Sequence, residues 1–334
     1  MATIKDVAKR AGVSVGTVSK VLNGVYVRDA NRLKVEEAIS QLNYQVNTYA
    51  RGMKAQFTNT VALILPDLVN PFFALLTNYV EQELFRKNYR MVLCLSSGSF
   101  EKEQGYFAAA RQNKIDGIIG LTYSDEAEKY VSDDMPLVSI DRYYEAHIPC
   151  VTSDNYQGGV IAARHFYRTG CHQVAYFRTG AKTAGSTLER DRGFLETSRE
   201  LGMECVHMDF GEEPGAQTAD QIYQYLQEYQ ANTSRVVEGI FFSSDDLAVM
   251  TVKKLRREGI RIPEDVQIIG YDGLTVLNRG PLYVSSIRQP IQEMARCCVE
   301  QVMRVIHHEP AQMLTVLPVE FAEGGTTKPQ ISGG

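Results

Sequence analysis

The sequence predicts a small all-α head joined to an α/β body of two lobes, each a doubly wound parallel sheet. Three observations carry this expectation. The 334 residues exceed one ordinary domain and suit two or three. Near the N-terminus, apolar residues recur at helical spacing. Beyond residue 60, short apolar runs alternate with helical stretches, the pattern of repeated strand–helix units.

Composition narrows the class. Apolar residues make up 44% and charged residues 22%, which argues against disorder, collagen or coiled coil. No apolar run approaches the roughly 20 residues that span a bilayer. The start, Met1-Ala2-Thr3-Ile4-Lys5-Asp6, reaches charge at once, so no secretory signal is expected. The six cysteines lack C-x-x-C spacing and are expected to be reduced, mostly buried thiols of a cytoplasmic protein, leaving the sequon at Asn232 idle. The net charge of -5 hides an asymmetry. Residues 1–56 hold nine Lys or Arg against four acids, and the remainder holds 26 bases against 36 acids. A basic head on an acidic body implies that the head alone meets a polyanion.

In the head, Thr3 can N-cap a helix carrying Ile4, Val7, Ala8 and Ala11 on one side, and Gly12 can stop it. Ser14 can cap a second helix with Val18, Val21 and Leu22 as its buried stripe, ended by Asn23-Gly24. Two short helices around a turn of about three residues have the helix-turn-helix layout, whose second helix enters the DNA major groove. A third helix, about 30–42, closes the core with Val35, Ala38, Ile39 and Leu42. Asn47 to Lys54 is a further helical candidate, too short to be stable alone in water. Gln56 to Thr60 connects it to the body.

In the body, strands are expected at 61–65, 91–95, 116–121, 136–140, 173–177, 239–243 and 266–270. Helices are expected at 72–87, 101–113, 157–169, to 201, at 246–258 and at 290–307. The fragments Asp116-Gly-Ile-Ile119 and Glu238-Gly-Ile-Phe241 sit at comparable places, which implies a structural duplication. The expected domains are 1–46, a linker at 47–60, and a body at 61–334. Its first lobe takes about 61–156 plus 290–318, and its second about 157–287 plus the C-terminal end. A cleft between such lobes is a ligand site, since open α/β sheets bind ligands beyond their strand C-termini. Asp67, Asn70, Phe72, Phe73, Asp141, Arg142, Arg190, Arg192, Phe210, Ser244, Asp245, Asp246, Tyr271, Asp272 and Gln289 fall near those ends. A sugar needs an aromatic face for stacking and planar hydrogen-bonding groups for its hydroxyl rim. Asp245 is expected to be structural, as a helix cap.

Enzyme motifs fail on context. Gly12-Val-Ser-Val-Gly16 fits G-x-S-x-G, but an amphipathic helix precedes the serine where a strand is required. Gly180-Ala-Lys-Thr183 lacks the spacing of a phosphate loop, and His308-Glu309 lacks the second histidine of a zinc motif. The six histidines show no metal-ligand spacing, so no metal and no cofactor are expected.

The stretch 3–24, TIKDVAKRAGVSVGTVSKVLNG, resembles the opening of the lactose-repressor/galactose-repressor family of bacterial transcription regulators. The resemblance continues through NYQVNTYARGM, ILPDLVNPFF, DGIIG, VSIDR, SSDDLA, IIGYDG and SSIRQP, and so covers essentially the whole chain. It implies a helix-turn-helix head, a periplasmic-binding-protein-like body, and a repressor whose operator affinity answers to a small effector, a sugar above all. By this resemblance Val15, Gly16 and Lys20 would read base edges, and Ser14, Thr17, Ser19 and Asn23 would contact phosphates. Asn47, Ala50 and Met53 would belong to a hinge helix in the minor groove, Met53 serving as an apolar wedge. The family usually places Leu where Met53 stands, often Pro where Val46 stands, and larger polar residues where Val15 and Gly16 stand. Effector contacts would come from Asn70, Phe72, Asp141, Arg190, Phe210, Ser244, Asp272 and Gln289. Many relatives have Asn in place of Ser244. The implied partners are a homodimer mate and a two-fold symmetric operator, with no membrane. The tail beyond Phe321 has no heptad repeat for tetramerisation. The other function open to this architecture is a solute-binding or sugar-processing protein with an incidental head.

Overall fold

The computed structural model describes residues 2–22, 25–44, 58–112, 115–122, 135–144, 148–179, 186–211, 217–274 and 282–329. They belong to two units, Met1–Thr58 and Asn59–Gly334.

The first unit contains α1 (Ile4–Ala11), α2 (Val15–Leu22) and α3 (Asp29–Gln41). The Thr3 hydroxyl accepts the Asp6 N–H, and the Asp6 carboxylate accepts the Thr3 N–H at 2.8 Å, a reciprocal pair that fixes where α1 starts. Gly12 ends α1 at φ +63°, where a side chain would be strained. The Ser14 hydroxyl accepts the Thr17 N–H at 3.1 Å and so caps α2. Val7, Ala8, Ala11, Val18, Val35 and Ala38 are the buried centre, with Ile4, Val13, Val21, Leu22, Ile39 and Leu42 packed around them. The third helix begins and ends one residue earlier than the expected 30–42, within the usual fraying of helix ends.

The second unit has two six-stranded sheets. In the first lobe, β1 (Thr60–Leu65), β2 (Arg90–Leu95), β3 (Gly117–Gly120), β4 (Leu137–Ile140), β5 (Cys150–Ser153) and β11 (Leu314–Leu317) lie in the order β2-β1-β3-β4-β5-β11, all parallel. In the second, β6 (Gln173–Arg178), β7 (Glu204–Asp209), β8 (Gly239–Phe242), β9 (Gln267–Asp272), β10 (Ser285–Arg288) and β12 (Glu320–Ala322) lie in the order β7-β6-β8-β9-β10-β12. Only β12 runs antiparallel, with Ile287 opposite Phe321. The two orders are the same, so each strand of one lobe has a counterpart in the other.

Both faces of each sheet are covered. In the first lobe, α4 (Pro71–Arg86) and α10 (Ile291–Ile306) cover Val61, Leu63 and Leu65, and α5 (Phe100–Gln112) covers Ala62 and Ile64 on the other side. In the second, α8 (Thr218–Thr233) and α9 (Asp245–Arg257) cover Ala175 and Phe177, and α6 (Asn155–Arg168) and α7 (Ser186–Glu200) cover Val174 and Tyr176. A strand buried on both faces favours apolar residues on both, which is why the middles of these strands read as apolar runs without alternation. The chain passes between lobes three times, after β5, after β10, and between β11 and β12.

α6 and α7 approach with their backbones in contact. A Cβ on Gly159 would stand 2.2 Å from the Arg190 carbonyl oxygen, and one on Gly193 would stand 2.1 Å from the Tyr156 carbonyl oxygen. This closeness brings Arg190 beside the β5–α6 connection.

Candidate functional site

Two surfaces matter, one in each unit. In the head, α2 buries Val18 and turns Val15, Gly16 and Lys20 outward, while Thr17 and Ser19 are half-buried. Val15 is 41% exposed. Ser14 is exposed, and its hydroxyl also pairs with that of Thr17 at 2.9 Å. The serine of the G-x-S-x-G pattern is thus a helix cap. Asn23, Asn47, Ala50 and Met53 lie outside the described residues.

In the body, the strand ends of the two lobes meet in a polar network. Arg190 is 5% exposed. Its Nε donates to Asn155 Oδ1 at 2.8 Å, and its Nη1 donates to the Ser243 carbonyl at 2.5 Å. The guanidinium lies over the Tyr271 ring, 3.5 Å from its centroid. Asn155 donates to Thr152 Oγ1, which donates to Asp141 Oδ1 at 2.7 Å. Ser153 Oγ donates to Gln289 Oε1 at 2.6 Å, and Gln289 Nε2 donates to Asp272 Oδ1 at 2.7 Å. One continuous set of contacts therefore ties the end of β5 to the end of β10, and both to β9.

Asp141 and Asp272 hold equivalent places, at the ends of the counterpart strands β4 and β9. Both have left-handed backbones, φ 56° and 115°. Non-glycine residues in that region carry strain, and such strain concentrates at binding sites. Burial pushes the Asp272 carboxyl up to about 7, opposed by Arg190 and by the Gln289 hydrogen bond. Burial raises Asp141 as well, again against Arg190. Burial also acts against the Arg190 charge, but Tyr271, Asp272 and Asp141 around it hold its pKa above the ordinary value.

Of the eight expected effector residues, Asp141, Arg190, Asp272 and Gln289 come together in this network. The other four are engaged differently. Asn70 caps α4, its Oδ1 accepting the Phe72 N–H at 2.9 Å. Phe72 is 4% exposed in the first-lobe core, edge-on to Phe73. Phe210 follows β7 and packs edge-on against Phe177. Ser244 caps α9 by accepting the Leu247 N–H at 3.4 Å. The expected cap at Asp245 is therefore corrected to Ser244. Asp245 is the first residue of α9, and its carboxylate accepts the Leu274 N–H at 2.7 Å and the Ser286 hydroxyl at 2.6 Å. Thr152, Ser153, Asn155 and Ser243 were not anticipated. They are small polar residues of no distinctive spacing, and only the fold brings them to Arg190 and Gln289. Among the described residues, no group of three or more His, Cys, Asp or Glu is placed to hold a metal ion. No described helix is long and apolar enough to cross a membrane.

Known proteins share this organisation. The family "Bacterial regulatory proteins, lacI family" matches residues 3–47, and a periplasmic binding protein-like domain matches residues 163–327. The ribose operon repressor of Halalkalibacterium halodurans is 34% identical over 332 residues, covering 98% of each chain. The sucrose operon repressor of Streptococcus mutans is 31% identical, over 97% of this chain and 99% of its own. The lac repressor dimer bound to operator and an anti-inducer superposes with a TM-score of 0.84 at 19% identity, over 98% of this chain and 99% of that one, a likeness of fold. A LacI family regulator from Enterococcus faecium with bound ribose superposes with a TM-score of 0.69 at 25% identity, over 81% of this chain and 99% of that one.

A helix-turn-helix head and a two-lobed body with a polar cleft define a DNA-binding transcriptional regulator. The chain belongs to the lacI family of bacterial regulatory proteins, whose members here are operon repressors and not enzymes.

Proposed function

We propose that the protein is a cytoplasmic repressor that binds a two-fold symmetric operator as a homodimer and answers to a sugar held between the lobes. The observation that carries this is the Arg190 network, which joins the lobes at the place where a guest would sit. A guanidinium fork, an amide and two carboxyls alternate donors and acceptors as a hydroxyl rim requires. The relatives named for ribose and sucrose operons, and the neighbour with bound ribose, support a sugar.

In the head, Val15, Gly16 and Lys20 face base edges. Ser14, Thr17, Ser19 and Asn23 meet phosphates, and Asn47, Ala50 and Met53 form the minor-groove hinge. In the cleft, Asp141, Arg190, Asp272 and Gln289 hold the hydroxyl rim, with Asn70, Phe72, Phe210 and Ser244 around it. The division at 46, 60 and the two lobes follows from these roles. Effector changes operator affinity only by the difference between its affinities for the two lobe arrangements.

The test is retention of genomic fragments by the full chain on a gel, with and without D-ribose or sucrose. Fragments with inverted half-sites should be retained, and one sugar should change that retention. A chain that stays monomeric and retains no fragment under any condition overturns the proposal.

A further inference from the structure

The described floor of the cleft holds more negative than positive charge. Asp245 and Asp272 are 3% and 4% exposed, and Asp141 is half-buried near them. Arg190 is the guanidinium buried among them, and two of its nitrogens already serve Asn155 and Ser243. Arg288, opposite Asp272 in the β9–β10 pair, bonds to Glu320, and Arg142, next to Asp141, lies over the Tyr144 ring. The nearby Arg178 is held by Asp209 at 2.6 Å. Asp246 and Asp67 lie close enough to repel one another, with Lys253 acting against them. Carboxylates that outnumber the buried guanidinium leave an excess of negative charge out of water, and a further anion would add to it. The upward shifts of Asp141, Asp245 and Asp272, each caused first by burial, show that this floor opposes negative charge.

We infer that the cleft takes an uncharged polyol and refuses the phosphate ester or carboxylate form of the same sugar. This rests on the effector-cleft reading above and specifies its ligand class. A hydroxyl both donates and accepts, so it can meet carboxylate and guanidinium alike. The Tyr271 hydroxyl, buried near Ser153 without a hydrogen bond of regular geometry, is a further group a hydroxyl could satisfy. A phosphate brings about -1.5 to -2 charge and needs several free donors around it. Among the described residues it would meet these carboxylates and a guanidinium with two of its nitrogens engaged.

The experiment is calorimetry and thermal shift on the full chain at pH 8. D-ribose and sucrose are each set against D-ribose 5-phosphate and sucrose 6-phosphate. The sugar that binds should do so at least about 100-fold more tightly than its ester, a difference of about 2.7 kcal/mol. Asp272→Asn should narrow that ratio by removing a charge at the floor. Unfolding of the ligand-free variant checks that it is folded. An ester binding as tightly as its parent sugar overturns the inference, and so does a neutral panel in which nothing binds. Operator retention by the same preparation tests the regulator reading separately, so the two can fail independently.

Discussion

Arg190 illustrates how much of the site depends on one side chain. It is buried, spans Asn155 and the Ser243 carbonyl, and stacks on Tyr271. Lysine keeps the charge but loses the fork and the flat face. Arg190→Lys should weaken sugar binding at least tenfold in calorimetry while leaving operator retention on a gel intact. Asp272 makes the site sensitive to pH. Its ordinary value is 3.8 and its folded value about 7. Between these, the folded chain keeps a proton that the unfolded chain has lost. The contribution of this carboxyl to stability is therefore full below about pH 4 and drains away as pH rises to 7. Asp272→Asn should flatten that fall, gaining on the parent chain from pH 5 to 8 in urea unfolding. At this scale the sequence was legible where a residue type announces its chemistry. Asp141, Arg190, Asp272 and Gln289 could be picked out by resemblance. Phe72 and Phe210 were visible as aromatics, but whether an aromatic faces a guest or a core depends on partners such as Phe73 and Phe177, and Phe177 is remote in the chain from Phe210.

Secondary elements were legible in proportion to their burial. β1, β3, β8 and β9 are buried throughout because helices cover both their faces, and their central residues are accordingly apolar. The edge strands β7, β11 and β12 alternate or expose their residues, and their short runs could not be separated from loop. β5 and β10 are four residues each, and polar serines and a threonine interrupt them where the lobes meet. α8 packs Ile222, Tyr225, Leu226 and Tyr229 on the core, a stripe masked in the sequence because half of it is tyrosine among many glutamines. The contact between α6 and α7 depends on absent side chains. Gly159→Ala would drive a methyl into the Arg190 carbonyl, and overpacking of this kind costs typically 1–3 kcal/mol. Since the obstacle is backbone, the loss should reach the upper end, about 3 kcal/mol in urea unfolding. The sugar response should fall with it, because the same contact positions Arg190.

Across the whole molecule, function is divided between a unit that meets DNA and a unit that senses a guest. The surface we propose for base reading has one long polar side chain, Lys20, beside the apolar Val15 and the bare backbone of Gly16. Lys20→Ala should cost roughly 1–3 kcal/mol of operator affinity and relax preference at one base pair, read from gel shifts on a panel of half-site variants. Retention should fall steeply with salt, as phosphate contacts release counterions.

The triple passage of the chain between the lobes has a consequence for how the molecule breaks. A peptide bond cut after β5 leaves α10 and β11, still joined to the second lobe through the other two passages, packed into the sheet and core of the first. A nicked body should therefore run as fragments under denaturing electrophoresis and still sediment as one particle. The waist of the molecule is built with spare cables.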